Sequence, residues 1–526
     1  MKKLLRLLFS RAFLIGIPLL LQALALIIVI WRFSNYFVYF YAICTLLSVG
    51  AVLKILRSRS NPAYKIAWVV PIILFPIFGG LFYLVLGINR LSKRMKQKMH
   101  AVEEKMIEFL GQNKAVLQTI ELQDRSAANL SHYIENYSFC PVYQNTSTEF
   151  LTPGEHMFER LLEELKKAER YIFLEYFIIE RGKMWDAILE ILRTKASQGV
   201  DVRIIYDDVG CLLTLPYGYN KQLERMGIKC FVFNPLAPIL TARLNNRDHR
   251  KIAVIDGKTA ITGGINLADE YINAYKRFGH WKDSAILLRG DAVWSFTVMF
   301  LSLWNYQAKA DEDYELFKVP GILPELSAAI APELSSELSS EISASGYVQP
   351  FGDSPLDDES IGETIFLNLI NRAERYLYIN TPYLILDNGM ANALCSAAKR
   401  SVDVRIITPH IPDKWFVHSV TRSNYDILVE SGVKIYEYTP GFNHAKTIAV
   451  DDEMAVVGTI NFDYRSLFLH FECGVWLYQT PSVLEVKEDF LQTLALCREI
   501  TLADCRSVRW YKRLGRSLLR VFAPLM

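Results

Sequence analysis

The sequence predicts an α/β protein built from two duplicated α-β-α lobes that are related by a pseudo-twofold axis and preceded by a helical membrane anchor. Three features of the 526 residues predict this fold. The first 90 residues are strongly apolar, an alternation of helix and strand patterns occurs twice, and one eight-residue motif occurs twice. Alternating helices and strands are typical of a sheet covered by helices on both faces. A repeat of this length indicates duplicated domains rather than a solenoid.

The predicted anchor, residues 1–90, contains two to three transmembrane segments. Residues 13–31 are an uncharged run, long enough to cross a ~30 Å hydrocarbon core and too long for a signal peptide. Residues 36–53 form a second segment, and residues 66–87 form a third that two prolines and a glycine pair interrupt. The Lys/Arg clusters favour no single orientation, so the sidedness stays open. We expect a multi-pass protein of the cell membrane.

Changes in composition divide the rest of the chain. The predicted parts are a linker-helix region (91–150), a first lobe (151–310), a Ser/Glu/Pro-rich linker (311–359), a second lobe (360–505) and a basic amphipathic tail (506–526). Low-complexity Ser/Glu/Pro segments seldom form a packed core. The tail either lies on anionic lipid as an interfacial helix or docks onto the core.

Helix and strand patterns recur in the same order in both lobes, and Val-Asp-Val-Arg-Ile-Ile occurs at the same place in each. Hydrophobic periodicity predicts the individual elements. In the first lobe they are helices 154–170 and 185–199 and strands 171–179, 200–206 and 228–233. In the second lobe they are helices 361–375 and 390–400 and strands 376–383, 402–407 and 433–438.

The strongest functional signal is a His-x-Lys-x-x-x-x-Asp motif that occurs twice, 195 residues apart. Its candidate catalytic residues are His249, Lys251 and Asp256 in one copy and His444, Lys446 and Asp451 in the other. Each motif begins a strand pattern. Because residues two apart on a strand point the same way, the histidine and lysine of each copy project together, and the aspartate closes the strand and can hold the following turn. If the lobes face each other, both motifs converge on one pocket.

These residue types suit the exchange of a phosphodiester. One imidazole attacks phosphorus and forms a phosphohistidine, while the other protonates the leaving group and deprotonates the acceptor. The lysines, with Asn266 and Asn461 of the following Gly-x-x-Asn segments, stabilise negative charge. Asp283 and Glu472 are candidates to hold the histidines, as carboxylates do in triads. We expect no cofactor and no metal, because no metal-ligand spacing is present. The motifs alone do not show which histidine attacks.

The chain resembles the bacterial cardiolipin synthases of the phospholipase D superfamily. The resemblance lies in Asn-Arg-Asp-His-Arg-Lys at residues 246–251 with Gly-Gly-Ile-Asn at 263–266, and in Gly-Phe-Asn-His-Ala-Lys at 441–446 with Gly-Thr-Ile-Asn at 458–461. It implies two phospholipase D-like lobes and the transfer of a phosphatidyl group between two phosphatidylglycerol molecules in an anionic membrane. It also implies that His249 is the nucleophile and His444 the acid/base.

Two departures from the family pattern bear on acceptor preference rather than on catalysis. His470 stands where the family usually has Asn before Phe-Glu, and Ile385–Leu386 stand where it usually has a proline. For His470 by itself, a local structural role is at least as well supported as a catalytic one.

Three alternative functions are weighed against the synthase. A hydrolase of the same superfamily would use water as acceptor and release phosphatidic acid. A nuclease is disfavoured because a net charge of +2 and an apolar anchor do not suit a nucleic-acid partner. A non-catalytic scaffold would not need intact motifs in both lobes. The oligomeric state stays open.

Overall fold

The computed structural model describes most of the chain beyond the first segment. The described residues are isolated positions between residues 20 and 32 and the ranges 37–58, 61–76, 79–80, 83, 104–236, 245–308, 312–319, 345–357 and 359–525. The predicted transmembrane segment 13–31 lies largely outside the described residues. So do the end of the segment 66–87 and much of the predicted linker 311–359.

The N-terminal part contains two apolar helices, α1 (Phe37–Arg57) and α2 (Pro62–Leu74). Within the described residues, Val38–Arg57 is the one helix long and apolar enough to cross a membrane. Large side chains along it, such as Val38 and Leu46, are more than 70% exposed, which would be costly in water and suits contact with lipid. The 13 residues of α2 span only about 20 Å. The described residues therefore contain one candidate span, and do not establish the expected multi-pass topology.

The first half of the remaining chain forms a seven-stranded sheet in the order β1-β9-β7-β6-β2-β3-β4. Its strands are β1 (Thr146–Leu151), β2 (Tyr171–Tyr176), β3 (Asp201–Asp207), β4 (Lys229–Phe233), β6 (Lys251–Ile255), β7 (Thr259–Gly263) and β9 (Ala285–Gly290), with short β5 (Arg247–Asp248) and β8 (His280–Lys282) beside it. Its helices are α3 (Lys114–Gln123), α4 (Arg125–Ser138), α5 (Gly154–Lys167), α6 (Lys183–Ser197), α7 (Tyr219–Glu224) and α8 (Val293–Ala308).

The second half repeats this order as β10-β17-β16-β15-β11-β12-β13 and adds β18. Its strands are β10 (Tyr347–Asp353), β11 (Tyr376–Asn380), β12 (Asp403–Pro409), β13 (Lys434–Tyr438), β14 (Gly441–Asn443), β15 (Thr447–Val450), β16 (Met454–Gly458), β17 (His470–Tyr478) and β18 (Cys497–Ile500). Its helices are α9 (Ile361–Arg372), α10 (Asn388–Lys399), α11 (Trp415–Ser423), α12 (Tyr425–Glu430), α13 (Tyr464–Phe468), α14 (Pro481–Leu494), α15 (Leu502–Arg506) and α16 (Trp510–Phe522). The shared strand order confirms the predicted duplicated α/β fold.

The two sheets share one apolar core. Helix α8 is buried nearly all round, because it packs between strands of both halves. Its Phe296 and Phe300 belong to the same buried cluster as Phe173 of β2 and Val457 of β16, and the Phe173 and Phe300 rings stack with centroids 4.5 Å apart. A helix that is apolar on all sides lacks the polar face that gives a surface helix its 3.6-residue sequence pattern. This shared core holds the two halves together.

Strand β10 lies inside residues 311–359, the segment predicted as a linker. The C-terminal part of that segment therefore belongs to the second sheet. The strand contains Pro350 and Gly352, which weaken a strand pattern. Because β10 is the edge strand of the sheet, where it pairs with β17 and bridges Tyr143 through Val348, a proline is tolerated there. Strand β1 likewise begins within the predicted linker-helix region.

The C-terminal helix α16 combines the two alternatives left open for the tail. One face packs beside α11 and α2, where Leu519 and Ala523 lie against Val417 and Val420. The opposite face leaves Trp510, Leu514 and Leu518 more than half exposed. The helix therefore docks on the folded core and still presents an apolar stripe next to the membrane anchor.

Candidate active site

Two short strand pairs that join the halves position the motif histidines. Strand β5, directly before His249, pairs in parallel with the start of β17, and the His249 N–H donates to the Phe471 carbonyl at 2.9 Å. Strand β14, directly before His444, pairs in parallel with β8, and the His444 N–H donates to the Lys282 carbonyl at 2.7 Å. Glycine is required at Gly441, where a Cβ would lie 2.2 Å from the His280 carbonyl oxygen.

This pairing gives each histidine a carboxylate from the other half of the chain. Nδ1 of His249 lies 2.9 Å from both carboxylate oxygens of Glu472, and Nδ1 of His444 lies 2.7 Å from Oδ2 of Asp283. Both carboxylates are completely buried. The two residues predicted to hold the histidines therefore do so reciprocally, each across the boundary between the halves.

The hydrogen bonds define which imidazole nitrogen is available for chemistry. An ionised carboxylate only accepts, so Nδ1 of each histidine donates and Nε2 keeps its lone pair. Burial lowers the pKa of His249 and of His444, although the neighbouring carboxylates oppose this shift. Burial alone would raise the pKa of Glu472, but His249 and Lys251 outweigh it and hold that pKa well below its usual range. Burial at both positions thus favours the neutral imidazole.

The motif lysines lie beside the histidines in a matching arrangement. Nζ of Lys251 donates to the His249 carbonyl, and Nζ of Lys446 donates to the His444 carbonyl. Burial lowers the pKa of Lys251 to about 8 and that of Lys446 to about 7. Cations that are this poorly solvated gain more than usual from a bound anion.

Both motifs contribute to one electrostatic site. The charge of Lys251 helps to lower the pKa of His444 and of Lys446, and the Asp283 carboxylate acts on Lys251. Coulomb interactions weaken as the distance between charges grows, so these mutual effects indicate that the two motifs lie near one another. The structure thus brings together the two histidines, the two lysines and the two carboxylates that hold the histidines.

The motif aspartates do not join this group. Asp256 accepts hydrogen bonds from the backbone N–H groups of Glu169, Arg170 and Tyr171 at 2.8 Å each. Asp451 does the same for Glu374, Arg375 and Tyr376 at 2.7–2.8 Å. Each lies five residues beyond its lysine, roughly 16 Å along an extended strand. These contacts hold the chain at the start of β2 and β11, while the catalytic role predicted for the two aspartates stays a prediction.

Replacing Asp256 with alanine is expected to destabilise the protein without removing the chemistry. Three backbone donors lose their acceptor, which costs about 2–3 kcal/mol, so Tm should fall while kcat per folded molecule changes less than about tenfold. Thermal unfolding and an activity assay on the same detergent-purified sample measure both. Lys258→Ala, an exposed change in the same turn, is the control. An unchanged Tm with a large loss of kcat would return Asp256 to the catalytic group.

The predicted asparagines are engaged in equivalent internal bonds. Nδ2 of Asn266 donates to the Tyr271 hydroxyl at 2.8 Å and its Oδ1 accepts from the Ile178 N–H at 3.0 Å. Nδ2 of Asn461 donates to Oγ of Ser466 at 3.0 Å. Each amide nitrogen carries a second N–H. Their predicted role as donors to a phosphate stays a prediction.

Several residues around the histidines were not identified from the sequence. The ring of Phe177 lies 5.1 Å from that of His249, and the rings of Tyr271 and Trp281 lie 5.6 and 5.2 Å from that of His444. The hydroxyl of Thr459 donates to Glu472. Phe177 lies within the predicted strand 171–179 and the others lie outside the predicted elements, and none of their side-chain types carries a chemical signature. They exclude water and hold the imidazoles and their carboxylates in place.

Comparison with known proteins gives the class. Residues 161–277 and 366–494 match the model of the phospholipase D-like domain of cardiolipin synthase, and residues 46–87 match the phospholipase D-nuclease N-terminal model. The solved phosphatidylserine synthase of Haemophilus influenzae Rd KW20 aligns with a TM-score of 0.54 at 16% identity, covering 75% of this chain and 97% of that one. The fold and the paired motifs thus define an enzyme of the phospholipase D class.

Sequence relatives narrow this further. A cardiolipin synthase from Halalkalibacterium halodurans is 34% identical over 487 residues, covering 92% of each protein. An uncharacterized protein from Streptococcus mutans is 42% identical over 482 residues, covering 91% of this chain and 100% of that protein. The chain belongs to the phospholipase D-like cardiolipin synthase family and is an enzyme of phospholipid biosynthesis.

Proposed function

We propose that this chain transfers a phosphatidyl group from one phosphatidylglycerol to another, yielding cardiolipin and glycerol. The observation that carries the proposal is the reciprocal anchoring of the histidines, by Glu472 at His249 and by Asp283 at His444. Two imidazoles that are each held through Nδ1, with Nε2 left for chemistry, suit a two-step exchange through a covalent intermediate. Membership of the cardiolipin synthase family supports the lipid substrate.

In the first step Nε2 of His249 attacks the phosphorus of the donor. The anionic substrate raises the pKa of His444, which enters protonated and gives its proton to the departing glycerol alkoxide. The phosphatidyl group is then bonded to His249. In the second step His444 takes a proton from the hydroxyl of the acceptor phosphatidylglycerol, whose oxygen displaces His249. Each step transfers one proton and breaks one P–O or P–N bond, so the enzyme returns to its starting state.

The charges of Lys251 and Lys446 stabilise the oxygens around phosphorus in both steps. Burial lowers the pKa values of both lysines because it removes water from around the charged ammonium groups. A bound phosphodiester places negative charge beside them and so stabilises the charged form of each lysine. Asn266 and Asn461 are proposed to add their free N–H donors. The chemistry is proposed to need no cofactor.

The proposed architecture is two lobes, residues 151–310 and 360–505, related by a pseudo-twofold axis. The matching strand orders and the reciprocal pairs β5–β17 and β14–β8 support it. The edge strands β1 and β10 extend these lobes at their N-terminal ends.

The enzyme is proposed to be a multi-pass protein of the cell membrane, with phosphatidylglycerol and anionic membrane lipid as its partners. The exposed apolar face of α1 supports a span there, and the segments 13–31 and 66–87 would supply the others. An anchor of this kind keeps the site at a high local concentration of lipid substrate.

Incubation with a single lipid tests the proposed reaction. Purified protein in detergent with phosphatidylglycerol alone should form cardiolipin and release an equal amount of glycerol, without nucleotide or added metal. Chromatography separates the products. Phosphatidic acid as the main product would indicate the hydrolase instead, and strict dependence on a CDP-activated lipid would refute the proposal.

A further inference from the structure

His470 is a buried imidazole that the proposed reaction does not use. Its side chain is 10% exposed, and within the described residues neither ring nitrogen has a hydrogen-bond partner. Its ring centroid lies 5.6 Å from that of His249, and its Nδ1 lies 3.8 Å from Oε1 of Glu472, too far for a hydrogen bond. A buried polar group without a partner is costly and needs an explanation.

The equivalent position in the other half has a different chemistry. His470 stands two residues before Glu472 and pairs with Arg247, whereas Trp281 stands two residues before Asp283 and pairs with Phe442. The indole N–H of Trp281 lies 3.5 Å from Oδ2 of Asp283. An indole nitrogen only donates, while imidazole can offer a lone pair to a cation. The two halves therefore differ at a point where their backbones match.

The spacing of the ligand atoms around His470 suits a small transition-metal ion. Among the described residues, one ligand atom from each of His249, His470 and Glu472 lies within 4.8 Å of the other two. A tetrahedral Zn²⁺ site, with bonds of 2.0–2.2 Å, places its ligands about 3.3–3.5 Å apart. Oε1 of Glu472 lies 2.9 Å from Nδ1 of His249 and 3.8 Å from Nδ1 of His470, so both of these distances lie within about half an ångström of that spacing.

The surroundings also resemble those of built metal sites. The Thr459 hydroxyl donates to Oε2 of Glu472, which orients the carboxylate and leaves Oε1 to act as a ligand, as outer hydrogen bonds do around bound metals. Two imidazoles and one carboxylate form a common ligand set for zinc, with a fourth position left to water.

We propose that His249, His470 and Glu472 form a binding site for a divalent transition-metal ion such as Zn²⁺, and that the bound ion inhibits the enzyme reversibly. The ion binds the lone pair of Nδ1, so the single proton of the neutral imidazole moves from Nδ1 to Nε2, as in metal-bound histidines generally. Nε2 then has no lone pair with which to attack phosphorus. Binding of the ion is independent of the reaction; only the inhibition depends on the proposed function and on His249 as its nucleophile.

Calorimetric titration of the detergent-purified, metal-free protein with ZnCl₂ tests the site directly. The wild-type protein should bind one Zn²⁺ ion. His470→Asn should bind Zn²⁺ at least about 100-fold more weakly, because the variant has lost one of the three ligands. His470→Gln is a second variant, and Tm shows that each is folded. His132→Asn is the control: His132 is a surface histidine that contacts Glu121 and Glu135, and its loss should leave the buried site intact. Unchanged binding by both His470 variants, or no binding by the wild type, would overturn the proposal.

Inhibition is measured on the same samples with phosphatidylglycerol, each relative to its own activity in a chelator. Zn²⁺ should lower kcat of the wild type and the His132 variant at concentrations that leave the His470 variants active. Tight binding without inhibition would overturn the inhibitory role. If no sample forms cardiolipin even in chelator, the proposed function fails while calorimetry still decides the metal site.

Discussion

Replacing His249 with alanine is expected to lower kcat for phosphatidyl transfer by about 10⁴-fold or more. The reason is the geometry of this imidazole: it is buried, which lowers its pKa, and it is held through Nδ1 by Glu472, which leaves Nε2 for the attack. Alanine leaves no nucleophile and no covalent intermediate. Steady-state formation of cardiolipin, measured with saturating phosphatidylglycerol, gives the effect on kcat.

Trapping of the intermediate identifies the nucleophile independently of that rate. Wild-type enzyme that is mixed with phosphatidylglycerol, quenched in alkali and digested should yield a phosphatidyl adduct on the peptide containing His249. His410→Ala is the matched control, because His410 also binds a carboxylate, Glu437, but stands outside both motifs. An adduct on His444, or more than about 1% residual activity in His249→Ala, would contradict the assignment.

Glu472→Gln is expected to lower kcat by about 10³–10⁴-fold while the protein remains folded. The neutral amide of glutamine accepts a weaker hydrogen bond from the His249 Nδ1–H than the carboxylate does. The N–H groups of the amide can instead donate to Nδ1, which favours the tautomer with its proton on Nε2. The same kind of substitution lowers kcat by about 10⁴-fold in a serine protease triad. The Thr459 hydroxyl can still donate to the amide oxygen, which limits the structural damage. Glu472 acts as a positioning residue, so the variant should also show a changed pH profile of kcat/KM.

The matched control for this variant is Glu437→Gln. Glu437 is a buried carboxylate that binds His410 at 2.8 Å and Arg422 at 2.6 Å, so the same substitution removes a similar charge from a place without chemistry. We expect a lower Tm and an almost unchanged kcat. Equal losses of kcat in both variants would mean that Glu472 contributes stability alone.

The residues that the sequence located correctly are those that depend on local geometry. The spacing of His249 and Lys251 within a strand pattern places both side chains together regardless of the rest of the fold. Asp283 and Glu472 are recognised as carboxylates similarly placed after the two motifs, 27 residues beyond Asp256 and 21 residues beyond Asp451. Their exchange between the halves was not foreseeable, because spacing along a chain does not reveal which distant strand will pair with β5 or β14.

The limits of the sequence prediction have physical causes too. Asp256 belongs to the motif by its spacing, and at the end of a strand it accepts hydrogen bonds from backbone donors, a structural role that spacing alone does not separate from a catalytic one. Strand β10 was missed because proline and glycine interrupt its pattern. The contact between His470 and His249 could not be predicted from the sequence, because these histidines lie 221 residues apart along the chain.

The crossed carboxylates have a consequence for the ancestry of the chain. A single half on its own would have a motif histidine with no acidic partner, and an acidic residue with no histidine to orient. Two identical copies associated face to face would complete each other, so a single half would need a second copy to form both pairs. Fusion of the genes for two such copies would then have released the copies from identity, allowing one histidine to specialise in attack and the neighbours, tryptophan on one side and histidine on the other, to diverge.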